Sequence, residues 1–304
     1  MPRRADGRTA VGVVGLGAMG GPMAARLLDP GGFPVVACDS VAERADDAAR
    51  RGAVTVATPA AVAAASDVVI TMLPDDAAVV EAVTGPDGVL EALDGGTLIE
   101  MSTIDPATSR RLHEHVRAAG GRMLDAAVGR TSAHAVRGEL SLMVGGDADL
   151  LEAWRPVLEP MATTITHCGP AGAGSTMKLV NNLLTTTIVA ANAEALTLAE
   201  RAGLPRDVVL RVLLAGAAAN THLAVTYQEK ALAGDLSPGF ATRLAAKDLG
   251  LALGLATRSG VPVPVGAAAA QQMTLALARG HADDDFTSVL EALREVSAPA
   301  DDAA

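Results

Sequence analysis

Val11-Gly-Val-Val-Gly-Leu-Gly-Ala-Met-Gly-Gly-Pro-Met-Ala-Ala-Arg-Leu-Leu28 is the stretch that decides the fold. A short apolar run enters a Gly15-x-Gly17-x-x-Gly20 turn, and an amphipathic segment of helical spacing leaves it. In such a turn the first glycine permits the tight bend and the second lets a pyrophosphate approach the main chain. The third lets helix and strand pack closely, and the helix N-terminus offers N–H groups and the positive end of its dipole. The next apolar run, 34–38, ends in Asp39. Its spacing of about 20 residues from the last glycine suits a carboxylate that accepts hydrogen bonds from ribose hydroxyls. Gly15, Leu16, Gly17, Ala18, Met19, Gly20 and Asp39 are therefore read as a dinucleotide-binding turn, with a helix cap or solvated loop acid as the plainer reading of Asp39. A carboxylate there repels the extra phosphate of NADP, and Ser40, Val41 and Ala42 bring no arginine directly after it, so the expected cofactor is NAD(H).

Around this turn the first half of the chain alternates strand and helix patterns. Runs at 68–71, 97–100, 122–126, 140–144 and 163–167 read as strands, and 75–83 and 107–119 read as helices. That alternation predicts an α/β fold with a Rossmann-type doubly wound sheet and ligands at the carboxyl ends of the strands. Met72, Leu73 and Pro74, with Ser102 and Thr103, then fall on the cofactor edge. From residue 169 the pattern changes to a long helix reaching about 201, followed by helical segments at 206–215, 224–232, 241–259, 265–279 and 286–296. The predicted organisation is a tail at 1–10, the dinucleotide domain at 11–168, a connecting helix at 169–201, an all-helical domain at 202–297 and a second tail at 298–304. The active site is expected in the cleft between the two halves.

Composition narrows the function classes. The 304 residues are 50% hydrophobic but 2% aromatic, so alanine, valine and leucine must build the cores. A net charge of −11 argues against a nucleic-acid partner or an anionic membrane surface, both of which call for a basic face. Cys38 and Cys168 have neither metal-ligand nor disulfide-scaffold spacing and are read as buried free thiols, which fits a cytoplasmic protein. The six histidines show no metal spacing, and no metal is expected.

The chemistry is concentrated in Lys178-Leu-Val-Asn181-Asn182. Lys178 and Asn182 stand at i and i+4 and share one helical face. When a carbonyl accepts a hydride its oxygen needs a proton, which a lysine ammonium can give and a neutral lysine can take back in reverse. Burial lowers a lysine pKa toward working pH, and buried amides demand partners.

With these residues the chain resembles the β-hydroxyacid dehydrogenases, the group containing 3-hydroxyisobutyrate dehydrogenase, over nearly its whole length. The resemblance is carried by the Gly15 turn with Met19 and Met23, by Thr71-Met-Leu-Pro74 and by Ser102-Thr-Ile-Asp-Pro106. Asp125-Ala-Ala-Val128, the 138–146 segment, Lys178-Leu-Val-Asn-Asn182 and Lys247-Asp-Leu249 complete it. It implies that Lys178 is the catalytic acid/base with Asn182 as its helper, and that Leu73, Thr103 and Lys247 contact the cofactor or close over it. It also implies assembly as a homodimer or homotetramer through the helical domain.

The departures bear on the substrate. Where the family pattern has Asp-Ala-Pro-Val followed by Ser-Gly-Gly, this chain has Ala127 for the proline, then Gly129-Arg130-Thr131-Ser132. Val-Gly-Arg-Thr-Ser followed by Ala-His-Ala is similar to the substrate loop of the 3-sulfolactaldehyde reductases. A sulfonate is tetrahedral with three acceptor oxygens, and Arg130, Thr131, Ser132 and nearby N–H groups can satisfy it, with Asn181 adding a contact. Arginine binds carboxylate and phosphate as readily, and an exposed arginine in a surface salt bridge is the plainer reading. The substrate is expected to be a small anion, with a sulfonate ahead of a 3-hydroxyisobutyrate-type carboxylate. An imine reductase, which generally lacks the lysine, and a cofactor-binding sensor, which needs no proton donor, rank behind both. His134 is read as a solvated loop residue.

Overall fold

The computed structural model describes residues 8–297. Of the tails expected at 1–10 and 298–304, residues 1–7 and 298–304 lie outside the described residues. Within the expected tail, Ala10 is buried, and it exchanges hydrogen bonds with Asp67, giving its N–H to Oδ2 at 2.8 Å and accepting from the Asp67 N–H at 2.9 Å. The chain is thus tied down one residue ahead of the first strand.

The first compact unit ends at Lys178. Its eight strands are β1 (Val11–Val14), β2 (Val35–Cys38), β3 (Val54–Thr55), β4 (Val68–Thr71), β5 (Thr97–Glu100), β6 (Arg122–Gly129), β7 (Leu140–Gly145) and β8 (Ala162–Gly169). They form one sheet in the order β3-β2-β1-β4-β5-β6-β7-β8, parallel throughout except for the antiparallel β6–β7 pair. The strand order reverses between β1 and β4, which places a crevice at the carboxyl ends of those two strands. The four central strands β1, β2, β4 and β5 are buried at every position, as a parallel sheet covered on both faces demands.

The helices of this unit are α1 (Gly20–Leu28), α2 (Ala42–Arg50), α3 (Pro59–Ala64), α4 (Asp76–Thr84), α5 (Pro106–Ala118), α6 (Ser132–Arg137) and α7 (Ala148–Leu158). α3 to α5 each start with a side-chain cap, from Thr58, Asp75 and Asp105. One face of the sheet packs Val13, Ile70, Ile99 and Leu124 with Met23, Leu27 and Trp154. The other packs Val69, Leu98 and Met123 with Val79, Leu112 and Val116. Cys38 is buried as expected, whereas Cys168 is half-buried because it lies on β8, the edge strand of the sheet.

α8 (Ala173–Arg201) runs from the first unit into the second, which begins at Leu179. The second unit is helical, with α9 (Arg206–Ala215), a π-helical turn (His222–Thr226) leading into α10 (Tyr227–Glu229), α11 (Thr242–Arg258), α12 (Pro264–Ala278) and α13 (Val289–Ser297). Its core gathers Val189, Leu196, Tyr227, Leu249, Met273 and Phe286, and the Tyr227 hydroxyl donates to the Val189 carbonyl at 2.7 Å. A single helix predicted over 224–232 is interrupted. Lys230 takes φ −114° and ψ −108°, outside the helical region, and its Nζ meets Asp235 at 2.7 Å. Among the described residues no helix is long and apolar enough to cross a membrane.

Candidate active site

The glycines of the β1–α1 turn are fixed by backbone contact. Gly15 sits at φ +95°, and a Cβ there would lie 2.3 Å from the Met72 carbonyl oxygen. A Cβ on Gly20 would lie 2.0 Å from the Gly15 carbonyl oxygen. Gly17 differs, since a Cβ there would meet only Arg44 Nη1, at 3.9 Å, and its main chain stays open to an approaching ligand. Leu16 is buried, Ala18 is exposed and Met19 is the residue before α1.

Asp39 fastens this turn to β2. Its Oδ2 accepts the Leu16 N–H at 2.6 Å and its Oδ1 the Val41 N–H at 2.8 Å. A carboxylate has about four lone-pair directions, so two backbone donors leave capacity for ribose hydroxyls. The next arginine along the chain, Arg44, stands on the following helix α2, and its Nη1 lies 3.5 Å from Asp39 Oδ1.

The loops after β4 and β5 are latched together. The Leu73 N–H donates to Ser102 Oγ at 2.9 Å, the Ser102 N–H to Glu100 Oε1 at 2.7 Å and the Asp105 N–H to Asp76 Oδ1 at 3.1 Å. Met72, Leu73 and Thr103 are half-buried and Pro74 is exposed. Glu100 is fully buried. Burial pushes its carboxyl up to about 8, hydrogen bonds from Ser102 oppose this, and the charges of Asp125 and Asp76 add to the rise.

At the exit of β6, Gly129 is the last strand residue and Arg130 follows at φ +76°, exposed, with Nη1 donating to the Glu139 carbonyl at 2.8 Å. Thr131 is the N-cap residue of α6 and Ser132 its first residue. His134 is half-buried rather than solvated, and its Nδ1 lies 2.8 Å from Thr131 Oγ1. Ala127, standing where the family pattern has proline, is buried in β6 opposite Met143 of β7.

The start of α8 is anchored by Asp125 of β6, a residue whose role in the sequence was only part of a motif. Its buried carboxylate accepts the N–H groups of Gly172 (2.8 Å) and Ser175 (2.9 Å) and the Ser175 hydroxyl (3.3 Å), with His113 Nε2 at 3.0 Å. Gly174 allows close packing here, because a Cβ on it would lie 2.3 Å from the Met143 carbonyl oxygen. Lys178 follows at 8% exposure. Asn182 comes one helical turn later on α8, within the second unit. Its Nδ2 donates to Asp248 Oδ2 at 2.7 Å and its Oδ1 accepts from Asn181 Nδ2 at 3.1 Å. Lys247 Nζ lies 3.1 Å from the other Asp248 oxygen, within ion-pair distance but off the hydrogen-bond direction. Asp248 is the functional candidate that sequence reasoning missed. Its signal is an acid among the buried positions Ala245, Leu249 and Ala252 of α11.

Comparison with known proteins matches this architecture. The family described as the NAD binding domain of 6-phosphogluconate dehydrogenase matches residues 10–169. That described as NAD-binding of NADP-dependent 3-hydroxyisobutyrate dehydrogenase matches residues 172–293. The 3-sulfolactaldehyde reductase of Escherichia coli K12 is 39% identical over 286 residues, covering 94% of this chain and 96% of that protein. Human mitochondrial 3-hydroxyisobutyrate dehydrogenase is 35% identical over 300 residues, covering 96% of this chain and 89% of that one. The structure of Mycobacterium tuberculosis 3-hydroxyisobutyrate dehydrogenase with L-serine superposes with a TM-score of 0.87 at 36% identity, over 94% of this chain and 99% of that one. The chain belongs to the β-hydroxyacid dehydrogenase family and is an NAD-dependent oxidoreductase acting on CH–OH groups.

Proposed function

We propose that this chain reduces 3-sulfolactaldehyde to 2,3-dihydroxypropane-1-sulfonate with NADH. The observation that carries the reading is Arg130, an exposed guanidinium held at positive φ between Gly129 and the two hydroxyl residues Thr131 and Ser132. A guanidinium with two adjacent hydroxyls offers donors in several directions, which matches a tetrahedral anion better than a flat one. The similarity to the Escherichia coli 3-sulfolactaldehyde reductase supports the same choice.

In this proposal Gly15 to Gly20, Asp39, Met72, Leu73, Pro74, Thr103 and Lys247 hold the dinucleotide. The open main chain at Gly17 fits a pyrophosphate, and Asp39 fits the adenosine ribose. NADH supplies the hydride. Lys178 gives a proton to the substrate oxygen as it gains charge, and takes one in the reverse direction. Asn182 orients the substrate hydroxyl or the lysine, its amide fixed by Asp248 so that Oδ1 is the acceptor end. Gly129, Arg130, Thr131, Ser132 and Asn181 receive the anionic end of the substrate. Assembly as a homodimer or homotetramer and a cytoplasmic location are part of the same proposal, drawn from the family pattern.

One observation favours a second reading. Arg130 Nη1 is engaged by the Glu139 carbonyl, so the guanidinium is partly committed to its own loop, and a carboxylate held by backbone and hydroxyl donors is the alternative. Steady-state oxidation of NADH with 3-sulfolactaldehyde, beside methylmalonate semialdehyde and succinic semialdehyde, separates the two. A much larger kcat/KM for the sulfonate supports the first reading, and preference for a carboxylate overturns it in favour of a 3-hydroxyisobutyrate-type activity.

A further inference from the structure

Thr131 and His134 form a side-chain pair in the loop that carries Arg130. Thr131 is the N-cap residue of α6, a place from which a threonine hydroxyl ordinarily accepts an N–H of the first helical turn. That bond is not made here, and Thr131 Oγ1 lies 2.8 Å from His134 Nδ1 instead. The Thr131 carbonyl still closes the turn, accepting the N–H groups of His134 at 3.0 Å and Ala135 at 3.1 Å. Ala135 is buried in the apolar cluster that holds Met23 and Leu27 of α1, so both partners stand on one anchored turn. Both are half-buried.

The bond can run in either direction, and the two directions offer an anion opposite faces. A hydroxyl has one hydrogen, and an imidazole nitrogen either donates or accepts. If Nδ1 carries no proton, Thr131 gives its hydrogen to the ring and turns only lone pairs elsewhere. If Nδ1 carries a proton, the ring donates and the Thr131 hydrogen is free for another acceptor. An anionic oxygen calls for the second arrangement. A neutral imidazole reaches it by choosing one of its two tautomers, whereas an imidazolium is held to it because both ring nitrogens donate. The charged groups around the ring are Arg130, Arg137 and Glu139 of its own loop and Arg26 of α1, the helix packed on α6. Arg137 donates to Glu139 Oε2 at 2.8 Å, and the charges of His134 and Arg130 also bear on that acid.

We propose that His134 is a positioning residue for the anion loop: its Nδ1–H holds the Thr131 oxygen and turns the hydroxyl hydrogen toward the anionic end of the substrate. The ring acts on the substrate through Thr131, and anion binding favours its protonated form. The inference rests on the reading of residues 129–132 as the anion site.

The test is the dissociation constant of 2,3-dihydroxypropane-1-sulfonate in its dead-end complex with the enzyme and saturating NADH. It is read from NADH fluorescence between about pH 5.5 and 8.5, the range in which histidines ordinarily titrate. Neither ligand can pass a hydride to the other, and the sulfonate stays ionised throughout. 3-Hydroxyisobutyrate takes its place if the enzyme prefers a carboxylate. The proteins are the wild type, His134→Asn, Thr131→Val and Arg130→Ala. The wild-type Kd is expected to rise about three- to tenfold from the acid to the alkaline end, the worth of one hydrogen bond to an anion gained or lost. His134→Asn puts an amide N–H near the place of Nδ1 and does not titrate, so its Kd should stay near the acid wild-type value at every pH. Thr131→Val should weaken binding and abolish the step, because the ring then has no hydroxyl to turn. A flat wild-type profile, or a step of the same size in His134→Asn or Thr131→Val, overturns the proposal. If Arg130→Ala and Thr131→Val both leave Kd unchanged, the anion site lies elsewhere and the inference falls with that reading. If both weaken binding while the His134→Asn and wild-type profiles coincide, only the role of His134 is refuted. Should a variant not fold, nitrogen NMR of the His134 ring in the wild-type complex decides: a protonated Nδ1 supports the proposal, and a bare Nδ1 refutes it.

Discussion

The Asp125 carboxylate on β6 and the Ser175 N–H in the first turn of α8 meet at 2.9 Å, across 50 residues of chain. Helix starts leave N–H groups without intrahelical partners, and an anion there also meets the positive end of the helix dipole. An acid of the sheet therefore sets where α8 begins, and with it the height at which Lys178 stands. The substitution Asp125→Asn removes the charge and turns one acceptor into a donor facing N–H groups. The cost expected for a buried partner lost in this way is about 2–4 kcal/mol, read as a fall in Tm or in the urea midpoint. A variant as stable as the wild type would show that the cap is replaceable.

Lys178→Ala is expected to lower kcat by about 10²–10⁴-fold, the usual worth of a positioned general acid. NADH affinity should change little, because the proton donor and the dinucleotide turn are separate groups of residues. Single-turnover hydride transfer together with NADH titration checks both halves. Unchanged kcat would remove Lys178 from the mechanism.

Asp39 and Arg44 set a two-step prediction for cofactor choice. Asp39→Ala removes a negative charge and leaves Arg44, 3.5 Å away in the wild type, without that partner. NADP(H) should therefore gain relative to NAD(H) in Asp39→Ala, and most of that gain should vanish in the Asp39→Ala/Arg44→Ala double variant. The single variant should also lose about 1–2 kcal/mol of stability, because the Leu16 and Val41 N–H groups lose an acceptor. Ratios of kcat/KM for the two cofactors across the three proteins test the coupling.

Arg130 at φ +76° should give effects of opposite sign on stability and on substrate binding. Glycine adopts positive φ without penalty, whereas a residue with a Cβ is disfavoured there by about 1 kcal/mol. Arg130→Gly is thus expected to raise Tm slightly while raising KM for an anionic substrate at least tenfold, the loss that follows from removing a charge-assisted contact of about 1.5–3 kcal/mol. An unchanged KM would dismiss the anion-clamp role. A fall in Tm would mean that the bond to the Glu139 carbonyl outweighs the backbone strain.

The raised proton affinity of Glu100 also carries a stability prediction. Unfolded, the carboxyl loses its proton near its ordinary value of 4.5; folded, it keeps it to about 8. Between those values the folded state holds more protons, so stability falls as pH rises through the window and levels off above it. The fall amounts to about 1.4 kcal/mol for each pH unit crossed within the window. Glu100→Gln has no such dependence, so its Tm should gain on the wild type steadily from about pH 5 to pH 8 and keep a constant lead beyond. A constant difference across the range would contradict a protonated Glu100.

Much of this architecture could be read from local pattern, because a strand, a glycine turn and an acid at fixed spacing impose the same geometry wherever they fold. The strands 68–71 and 97–100 are built around the short apolar runs Val68-Val-Ile70 and Leu98-Ile99, and they appear with the bounds read from sequence. What escaped reading is non-local or too short. β3 is two exposed residues, and α6 is six residues long with one buried position. The partners of Asp125 and Asp248 lie 50 and 66 residues away, and no spacing encodes such a meeting. The positive φ of Arg130 left no trace in its side chain, and the half-exposure of Cys168 follows from strand order rather than from its neighbours in sequence.

The sequence holds one tryptophan and one tyrosine. Trp154 is buried in the core of the first unit and Tyr227 in that of the second. The protein is therefore its own pair of optical labels. Emission excited selectively from the indole reports on the sheet domain, and the phenol absorbance reports on the helical one. Melting each half can be timed against the other in the unmodified chain, without a dye or an engineered probe.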